Sequence, residues 1–583
     1  MSINSTNQET IRKNAASLKA QIQKVLRDNN KKADDRTVRL YAYALLATYK
    51  YNYPFGVTLK EVFNDADEFN PSIRTYLRSE LNEKVFNSMM SEIMEASPSQ
   101  YEALKFILDD YSYEYSDSTP ESVTNLALRL LDIKPGENVV DLGSGDGRFL
   151  FHAADLYPES TFHGYEISTE KYLMSTLRNH VRTLSSKTNV MISNGDVFDL
   201  ESEMNKEHGI RFEKVFSNCP FGLRLAHSGI GAQFLMKYKS RLPRIEASSS
   251  EGAFNLLIER LVSWHPLAKG VAIMPNGITW NASDKMMRRF LLEDGMIEAV
   301  ISLPEKLLEY TSIPTTIIVF SFGRTSVRMI DATRIFTAGR RQNLLSDTDI
   351  DKIISAYHED SDISRQVSYE EIWDNDFVLN PVRYLSSEIK IDNGVKLGSL
   401  LTISPLRGAQ LNADTLDGLV SRKETDYQYL MLSNIHDGLI DDDLPYLNEI
   451  DRSLEKYCLQ DGDIILSKNG FPFKVAIAHP KEGKQILANG NLFILRVDRT
   501  KVNPVYLKAF LEGETGTDLL KRISVGSTIP NISQKSLEGI LIPLPSIEEQ
   551  EKIAENYSNK QNEILILKSR LAKAISQLKE IVK

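Results

Sequence analysis

A glycine-rich turn constrains the fold of this 583-residue chain more than any other feature of its sequence. The segment Asp141-Leu-Gly-Ser-Gly-Asp-Gly147 follows a short apolar stretch that begins at Glu137. Gly143, Gly145 and Gly147 permit a tight turn, because glycine has no side chain and adopts backbone conformations that other residues avoid. The same glycines allow a ligand to approach the backbone closely, so a nucleotide-like cofactor has to be considered.

The sequence around this turn alternates between strand-like and helix-like patterns. Short stretches of strand character occur at residues 137–141, 162–166, 190–193, 214–217, 270–274 and 297–302. The alternation predicts a doubly wound, Rossmann-like α/β domain over residues 111–390. Ligands bind such sheets beyond the carboxyl ends of the strands. Since the glycine turn, Glu166, Asp196 and Asn218 each come at a strand end, we expect them to lie at one edge of the sheet.

The rest of the chain predicts three further parts. Residues 1–110 carry apolar side chains at helical spacing, which predicts a helical N-terminal domain. Residues 395–545 contain short β-like runs separated by turn residues and predict a β-rich domain. Residues 546–583 predict one long helix, either a coiled-coil seam or a packed amphipathic helix. Its apolar residues recur in steps of three and four: Ile564, Leu567, Leu571, Ala574, Leu578 and Ile581. The predicted fold class is therefore multidomain α/β.

The composition narrows the class of protein. A hydrophobic content of 42% and a charged content of 25% are typical of soluble globular proteins, and no apolar run is long enough to span a membrane. Cys219 and Cys458 give no metal-binding or disulfide spacing, and the polar amino terminus has no signal-peptide core. We therefore expect a cytoplasmic protein with no metal site and no membrane partner. The formal net charge of −10 requires a local basic surface for any contact with nucleic acid.

The residues at the predicted sheet edge suit a cofactor that contains adenosine. Glu166 lies about 20 residues beyond the glycine turn, where a carboxylate can accept hydrogen bonds from both ribose hydroxyls. Asp196 is placed to accept from an adenine amino group, and Phe198 to pack on the ring. The turn lacks the third glycine of a dinucleotide motif and the Gly-Lys-Ser/Thr of a P-loop. A purely structural turn, a solvated acid at Glu166 and a simple turn aspartate at Asp196 remain the alternatives.

The segment Asn218-Cys-Pro-Phe221 indicates chemistry on a planar amine. The side-chain oxygen of Asn218 and the backbone carbonyl of Cys219 could accept both hydrogens of an exocyclic amino group. Such contacts would draw the nitrogen toward tetrahedral geometry and free its lone pair for a methyl sulfonium. Pro220 would shape the turn, and Phe221 offers a face for an extruded base. The alternative is a strand followed by an ordinary proline turn.

In these features the chain resembles the adenine-N6 DNA methyltransferases of the γ class, and specifically the modification subunits of type I restriction–modification systems. Thr119-Pro120 matches the cofactor-contacting segment of that family, and Asp141 to Phe149 matches its glycine motif. Glu166 matches its ribose-binding acid, and Asp196 its adenine-side acid. Asn218 to Phe221 stands where the family has Asn-Pro-Pro-Phe/Tyr. The resemblance implies S-adenosylmethionine as cofactor and a flipped adenine in double-stranded DNA as substrate.

Residues 395–583 resemble half of a type I specificity subunit. Gly462 to Gly470 resembles a target-recognition core, and Ser524 to Ile532 and Ile542 to Gln550 match the segment that leads into the family's spacer helix. The resemblance implies a homodimer that pairs its terminal helices and reads two half-sites. A separate restriction or specificity subunit stays open as a further partner. Candidates for contacts with phosphates or bases are Arg407, Arg422, Lys468, Lys474, Lys521 and Arg522.

One departure from the family pattern leaves the activity open. Cys219 replaces a proline, which would fix the backbone and lack an N–H group. The acceptor at this position is a backbone carbonyl, so we expect a competent but slower site. The alternatives are an inactive DNA-binding homologue with a specificity or regulatory role, and a methyltransferase that acts on RNA or on a protein amide. A non-catalytic assembly protein would leave the ordered motifs unexplained.

Overall fold

The computed structural model describes most of the chain and divides it into two compact units, residues 1–381 and residues 382–583. The described residues are 2–51, 54–109, 119–185, 188–200, 209–223, 229–240, 249–308, 311–340, 342–385, 391, 393–525 and 530–580. Among the described helices, none has the length and apolar character that crossing a membrane requires.

The first unit opens with six helices around a common apolar core. They are α1 (Ser2–Asp28), α2 (Asp35–Ala47), α3 (Leu59–Phe69), α4 (Pro71–Glu80), α5 (Glu83–Glu92) and α6 (Pro98–Asp109). The carboxylate of Asp34 caps α2 by accepting from the backbone N–H of Thr37. Ile22 and Leu26 on α1 are fully buried, as their helical spacing predicts. The predicted N-terminal helices are confirmed.

A nine-stranded mixed sheet forms the rest of the first unit, in the order β3-β2-β1-β4-β5-β7-β6-β8-β9. Its strands are β1 (Asn138–Leu142), β2 (Thr161–Glu166), β3 (Val190–Asn194), β4 (Lys214–Asn218), β5 (Lys269–Pro275), β6 (Ile297–Ser302), β7 (Thr315–Ser321), β8 (Ser326–Asp331) and β9 (Ser364–Ser368). Strands β1 to β5 are mutually parallel, whereas β7 runs antiparallel between β5 and β6. The predicted α/β domain is therefore confirmed, with an antiparallel insertion that the sequence pattern did not predict.

Helices cover this sheet. Those among the described residues are α7 (Glu121–Leu131), α8 (Arg148–Leu156), α9 (Thr169–Ser185), α10 (Ile230–Met236), α11 (Ser250–Val262), α12 (Lys285–Glu293), α13 (Asp347–His358) and α14 (Tyr369–Asp374). The chain turns from β1 outward to β2 and β3, and then returns to place β4 on the other side of β1. The strand order thus reverses beside β1, which is where open α/β sheets bind ligands.

The second unit is β-rich, as predicted, and ends in a long helix. Its strands are β10 (Gly394–Lys396), β11 (Leu406–Arg407), β12 (Val420–Ser421), β13 (Tyr427–Leu430), β14 (Ile435–His436), β15 (Leu439–Ile440), β16 (Tyr446–Leu447), β17 (Ile464–Ser467), β18 (Val475–Ile477), β19 (Gln485–Ala488), β20 (Leu492–Leu495), β21 (Ser524–Val525), β22 (Asn531–Ile532) and β23 (Leu541–Pro543). Its helices are α15 (Val382–Leu385), α16 (Ala413–Leu419), α17 (Pro504–Glu512), α18 (Glu514–Ile523), α19 (Gln534–Glu538) and α20 (Ile547–Glu580). Two four-stranded sheets, β11-β20-β17-β18 and β12-β16-β13-β19, form its centre.

Helix α20 changes character along its length. Near its start, Gln550 and Ala554 are buried within the second unit, and α17 packs against the helix. Farther along, Ile564, Leu567 and Leu571 are at least half exposed. Of the residues used for the sequence predictions, 526–529 and Ile581 lie outside the described residues. The side chains of Ala574 and Leu578 are also outside the description.

Candidate active site

The glycine turn after β1 has the backbone conformation that its sequence predicts. Gly143, Gly145 and Gly147 have φ values of +86°, +56° and +85°, which only glycine adopts readily. A Cβ atom at Gly143 or Gly145 would meet open space, so the backbone conformation, rather than crowding, requires glycine there. The N–H groups of Gly143 and Ser144 both donate to the carbonyl of Tyr165, at 3.0 and 2.9 Å. The turn is therefore held by β2.

Glu166 is part of this turn rather than a solvated strand-end acid. Its side chain is buried, and Oε2 accepts from the backbone N–H of Gly145 at 2.8 Å. Its Oε1 accepts from the N–H of Ser168 at 2.7 Å. Each carboxylate oxygen can accept more than one hydrogen bond, so both remain able to take a hydroxyl donor. A ribose contact by Glu166 is compatible with this geometry and stays a prediction.

A concentration of carboxylates surrounds the turn. Asp141 is buried, and its burial, together with the nearby carboxylates of Glu166 and Asp146, raises the pKa of Asp141 well above its usual range. A positive charge in this place would lower the electrostatic cost of ionising Asp141. S-adenosylmethionine carries a sulfonium and an ammonium group, so the residues around the turn fit that cofactor. No atom lies within 4 Å of the position that a Cβ would take at Gly143 or Gly145, so the backbone is open to close approach there.

Asn218 ends β4, and its carboxamide is oriented by a residue 99 positions earlier in the chain. Its Nδ2 donates to the hydroxyl oxygen of Thr119 at 2.9 Å. Thr119 is buried, and Pro120 beside it is the residue that caps α7. Because the amide nitrogen of Asn218 is hydrogen-bonded to Thr119, the direction of the amide oxygen Oδ1 is fixed as well. The sequence assigned Thr119 and Pro120 to the cofactor and gave no sign of this contact.

The next three residues of the motif have different surroundings. Cys219 is fully buried, and its Sγ lies 3.5 Å from Sδ of Met274 on β5. Burial raises the pKa of this thiol far above its usual range, so Cys219 stays protonated and is unsuited to act as a nucleophile. Pro220 is exposed and Phe221 is half-buried. The ring of Phe221 packs against the core of the sheet domain.

Glu251, at the start of α11, holds the far end of this loop. Its Oε1 accepts from the backbone N–H of Gly222 at 2.7 Å, and Oε2 accepts from Ser250 Oγ at 3.0 Å. Gly222 has a φ of +66°. Sequence reasoning missed Glu251, because a single acid in a helical segment carries no signal of a partner 29 residues away.

The adenine-side residues predicted from the sequence lie beyond β3. Asp196 Oδ1 accepts from the backbone N–H of Phe198 at 3.0 Å and caps a short 3₁₀ turn. Phe198 is buried, with its ring centroid 5.3 Å from that of Phe234 and 5.2 Å from that of Phe254. Asp196 therefore makes the hydrogen bond of a turn aspartate. The predicted contacts of Asp196 and Phe198 with adenine stay predictions.

The residues predicted to contact DNA lie in the second unit and differ in how far their side chains are exposed. Lys474 Nζ donates to the carbonyls of Leu432 and Ile435 at 3.1 and 2.7 Å, and its predicted contact with DNA stays a prediction. Arg422 and Lys521 are exposed. The remaining candidates are partly buried: Arg407, Lys468 and Arg522.

Comparisons with known proteins match two domain families to this chain. The family model for N-6 DNA methylase matches residues 101–392, and the model for the type I restriction modification DNA specificity domain matches residues 396–577. The methylase subunit of the type I restriction enzyme MpnII from Mycoplasma pneumoniae is 22% identical over 395 residues, which cover 58% of this chain and 72% of that subunit.

Two further relatives cover smaller shares of this chain. The MjaVII methylase subunit from Methanocaldococcus jannaschii is 26% identical over 293 residues, 46% of this chain and 48% of the relative, so the chain spans about half of that relative's length. A solved type I restriction–modification methyltransferase subunit from Streptococcus thermophilus aligns with a TM-score of 0.47 and 23% identity, covering 56% of this chain and 76% of that one. Since the methylase model covers just over half of its residues, the chain belongs to the N-6 DNA methylase family, whose members are adenine-specific and use S-adenosylmethionine.

Proposed function

We propose that this chain is a site-specific DNA methyltransferase that modifies N6 of adenine at a sequence selected by its own C-terminal part. One observation supports the proposal most strongly. Strands β1 and β4 are parallel neighbours, with Asp141 paired to Phe216, so the glycine turn and the Asn218 loop leave the same edge of the sheet. A cofactor at the turn and an amine at Asn218 would therefore lie side by side.

The residues at this edge have distinct roles in the proposal. Oδ1 of Asn218 and the backbone carbonyl of Cys219 accept the two hydrogens of the adenine amino group, and so free its nitrogen lone pair. Phe221 stacks on the base after it leaves the duplex. S-adenosylmethionine, when bound, supplies an electrophilic methyl group. Glu166 and the glycine turn hold that cofactor, and Thr119 keeps the carboxamide of Asn218 in one orientation.

In our proposal the site remains able to transfer a methyl group although Cys219 replaces the proline of the family motif. The catalytic contribution of that position is its backbone carbonyl, which proline and cysteine share. The buried side chain of Cys219 packs on Met274, which occupies the space without adding a charge. Because the contacts at Asn218 and Gly222 hold both ends of the loop, we expect the missing proline restraint to slow the reaction rather than abolish it.

We further propose that two copies act together through α20. The apolar side chains exposed on this helix, which include Ile564, Leu567 and Leu571, are positioned to pair with those of a second copy. Two recognition domains would then read two half-sites of double-stranded DNA. A separate restriction or specificity subunit would be an additional partner, and nothing in the proposal requires one.

The proposal is tested by methyl transfer from radiolabelled S-adenosylmethionine to three substrates in parallel: bacterial chromosomal DNA, total RNA and bulk protein. We expect label in DNA alone, recovered as N6-methyladenine after hydrolysis. The Asn218→Ala chain is the control for contaminating host enzymes. Label in RNA or in a protein amide would contradict the choice of substrate, and binding of the cofactor without any transfer would favour the inactive homologue.

A further inference from the structure

The loop between β17 and β18 presents a large apolar side chain at the surface of the second unit. Phe471 is 48% exposed, although the residues on both sides of the loop belong to the central sheet. Its ring meets that of Phe473 edge-on, with 6.0 Å between the centroids, and Phe473 in turn packs against the core. The exposed ring is therefore supported from below by a side chain that packs against the core.

Backbone hydrogen bonds hold this loop in place. The N–H of Gly470, a residue with φ of +88°, donates to the carbonyl of Pro530 at 2.8 Å. The N–H of Ile532 donates to the carbonyl of Lys468 at 3.0 Å, and that of Lys468 to the carbonyl of Asn491 at 2.8 Å. Since three separate contacts fix the backbone, the exposure of Phe471 belongs to the folded state and does not require the loop to open.

One cationic side chain lies against this ring, and two more lie on neighbouring parts of the second unit. Lys521 Nζ is 5.7 Å from the centroid of Phe471. Burial and, to a lesser extent, the nearby guanidinium of Arg407 lower the pKa of Lys468. Lys468 Nζ donates to Asn531 Oδ1 at 2.7 Å, and Arg407 Nε donates to the carbonyl of Gly490 at 2.7 Å, both neutral acceptors.

Among the residues that the structure describes, these cations lack carboxylate partners. Within the described part of the chain, no ion pair forms at Arg407, Lys468 or Lys521, whereas many other lysines and arginines pair with an acid. A chain with a net charge of −10 therefore keeps a local basic surface around one exposed aromatic ring. Such a surface attracts the phosphates of DNA. An exposed aromatic ring beside it can insert between two stacked base pairs.

We propose that Phe471 is a DNA-contacting wedge, which enters the stack of base pairs while Arg407, Lys468 and Lys521 contact the flanking phosphates. This inference rests on the proposed function, because it takes double-stranded DNA as the partner of the second unit. Insertion of the ring would hold the duplex against the second unit. It would also favour recognition sites in which the base step at that position unstacks easily. Asn218 and the methyl-transfer site play no part in this contact.

The test compares DNA affinity by fluorescence anisotropy, with the full chain and a fluorescein-labelled pool of random-sequence duplexes. We expect Phe471→Ala to weaken binding about tenfold without changing the slope of log Kd against log salt, because the ring contacts no phosphate. Phe471→Trp should restore the affinity. Lys521→Gln should reduce the salt slope by about one. Phe322→Ala is the matched control, since that phenylalanine is 56% exposed in the first unit.

The outcomes separate this inference from the proposed function. Weaker binding by Phe471→Ala together with no methyl transfer by the unaltered chain would support the wedge and contradict the methyltransferase. If the unaltered chain transfers methyl groups and the Phe471→Ala chain binds DNA as tightly as the Phe322→Ala chain, the wedge is overturned and the methyltransferase is not. A change in native mass on Phe471→Ala, with unchanged DNA affinity, would also overturn it, because the ring would then be a protein contact.

Discussion

The contact between Thr119 and Asn218 is the residue-scale feature on which the account of catalysis depends most. A carboxamide that can rotate exchanges its donor and acceptor branches, and only one orientation presents Oδ1 to an amine. The 2.9 Å hydrogen bond to Thr119 selects one orientation. Thr119 is thus a positioning residue in this account, in addition to the cofactor contact predicted from its sequence.

Replacing Thr119 with valine removes this hydrogen bond at almost constant volume. We expect kcat to fall about fivefold, the scale of one hydrogen bond of about 1 kcal/mol, while the Kd for S-adenosylmethionine changes little. Thr119→Ser keeps the hydroxyl and should keep most of the rate. Steady-state kinetics and calorimetric titration of the cofactor measure the two effects. A loss of cofactor affinity that matches the loss of rate would show that Thr119 acts on the cofactor alone.

Cys219→Pro tests the consequence of the departure from the family motif. Proline fixes φ and removes an N–H donor, so we expect the rate of transfer to be preserved or to rise. The change also removes the contact between Cys219 and Met274, which should lower thermal stability by a small amount. Cys219→Ala separates these effects, because it loses the sulfur without gaining the restraint. Complete loss of activity in a folded Cys219→Pro chain would contradict our account of this position.

At the scale of single elements, helix α20 carries the prediction about assembly. Leu567 and Leu571 share a face and are 55% and 60% exposed, a cost that pairing with a second copy would remove. We expect Leu567→Asp with Leu571→Asp to halve the native mass measured by light scattering and to leave the fold of each chain intact. Ser569→Asp adds charge on the other side of the helix and serves as control. An unaltered chain that is already monomeric would contradict the pairing.

The elements also show how far the sequence could predict this structure. Strands that run into Gly143 or end at Asn218 are recognisable, because apolar stretches and turn residues are local signals. The placement of Glu166 beside the glycine turn followed from strand-end geometry. The antiparallel strand β7 and the contacts of Thr119 and Glu251 could not be predicted, since they join residues distant in sequence through packing that no local pattern encodes.

At the scale of the whole molecule, the chain combines a catalytic unit and a recognition unit. The N-terminal helices and the sheet form one compact unit. Within it, the hydroxyl of Tyr43 on α2 forms a 2.8 Å hydrogen bond with Nδ1 of His180 on α9. The finer division at residues 110, 390 and 545 stays a prediction. The net charge of −10 is compatible with DNA binding, because the cations near Phe471 form a local surface. Activity and recognition are therefore assigned to different parts of the chain.

Modification-sensitive sequencing shows directly whether this chain methylates adenine, when the DNA comes from a host that lacks adenine methylation and expresses this chain alone. We expect N6-methyladenine at one recurring sequence built from two half-sites, and no modification when Asn218→Ala is expressed at the same level. That loss should be at least about a hundredfold, the scale of removing one preorganised polar contact to the reacting group. Methylation that persists in Asn218→Ala, or unmodified DNA from the unaltered chain, would contradict this expectation.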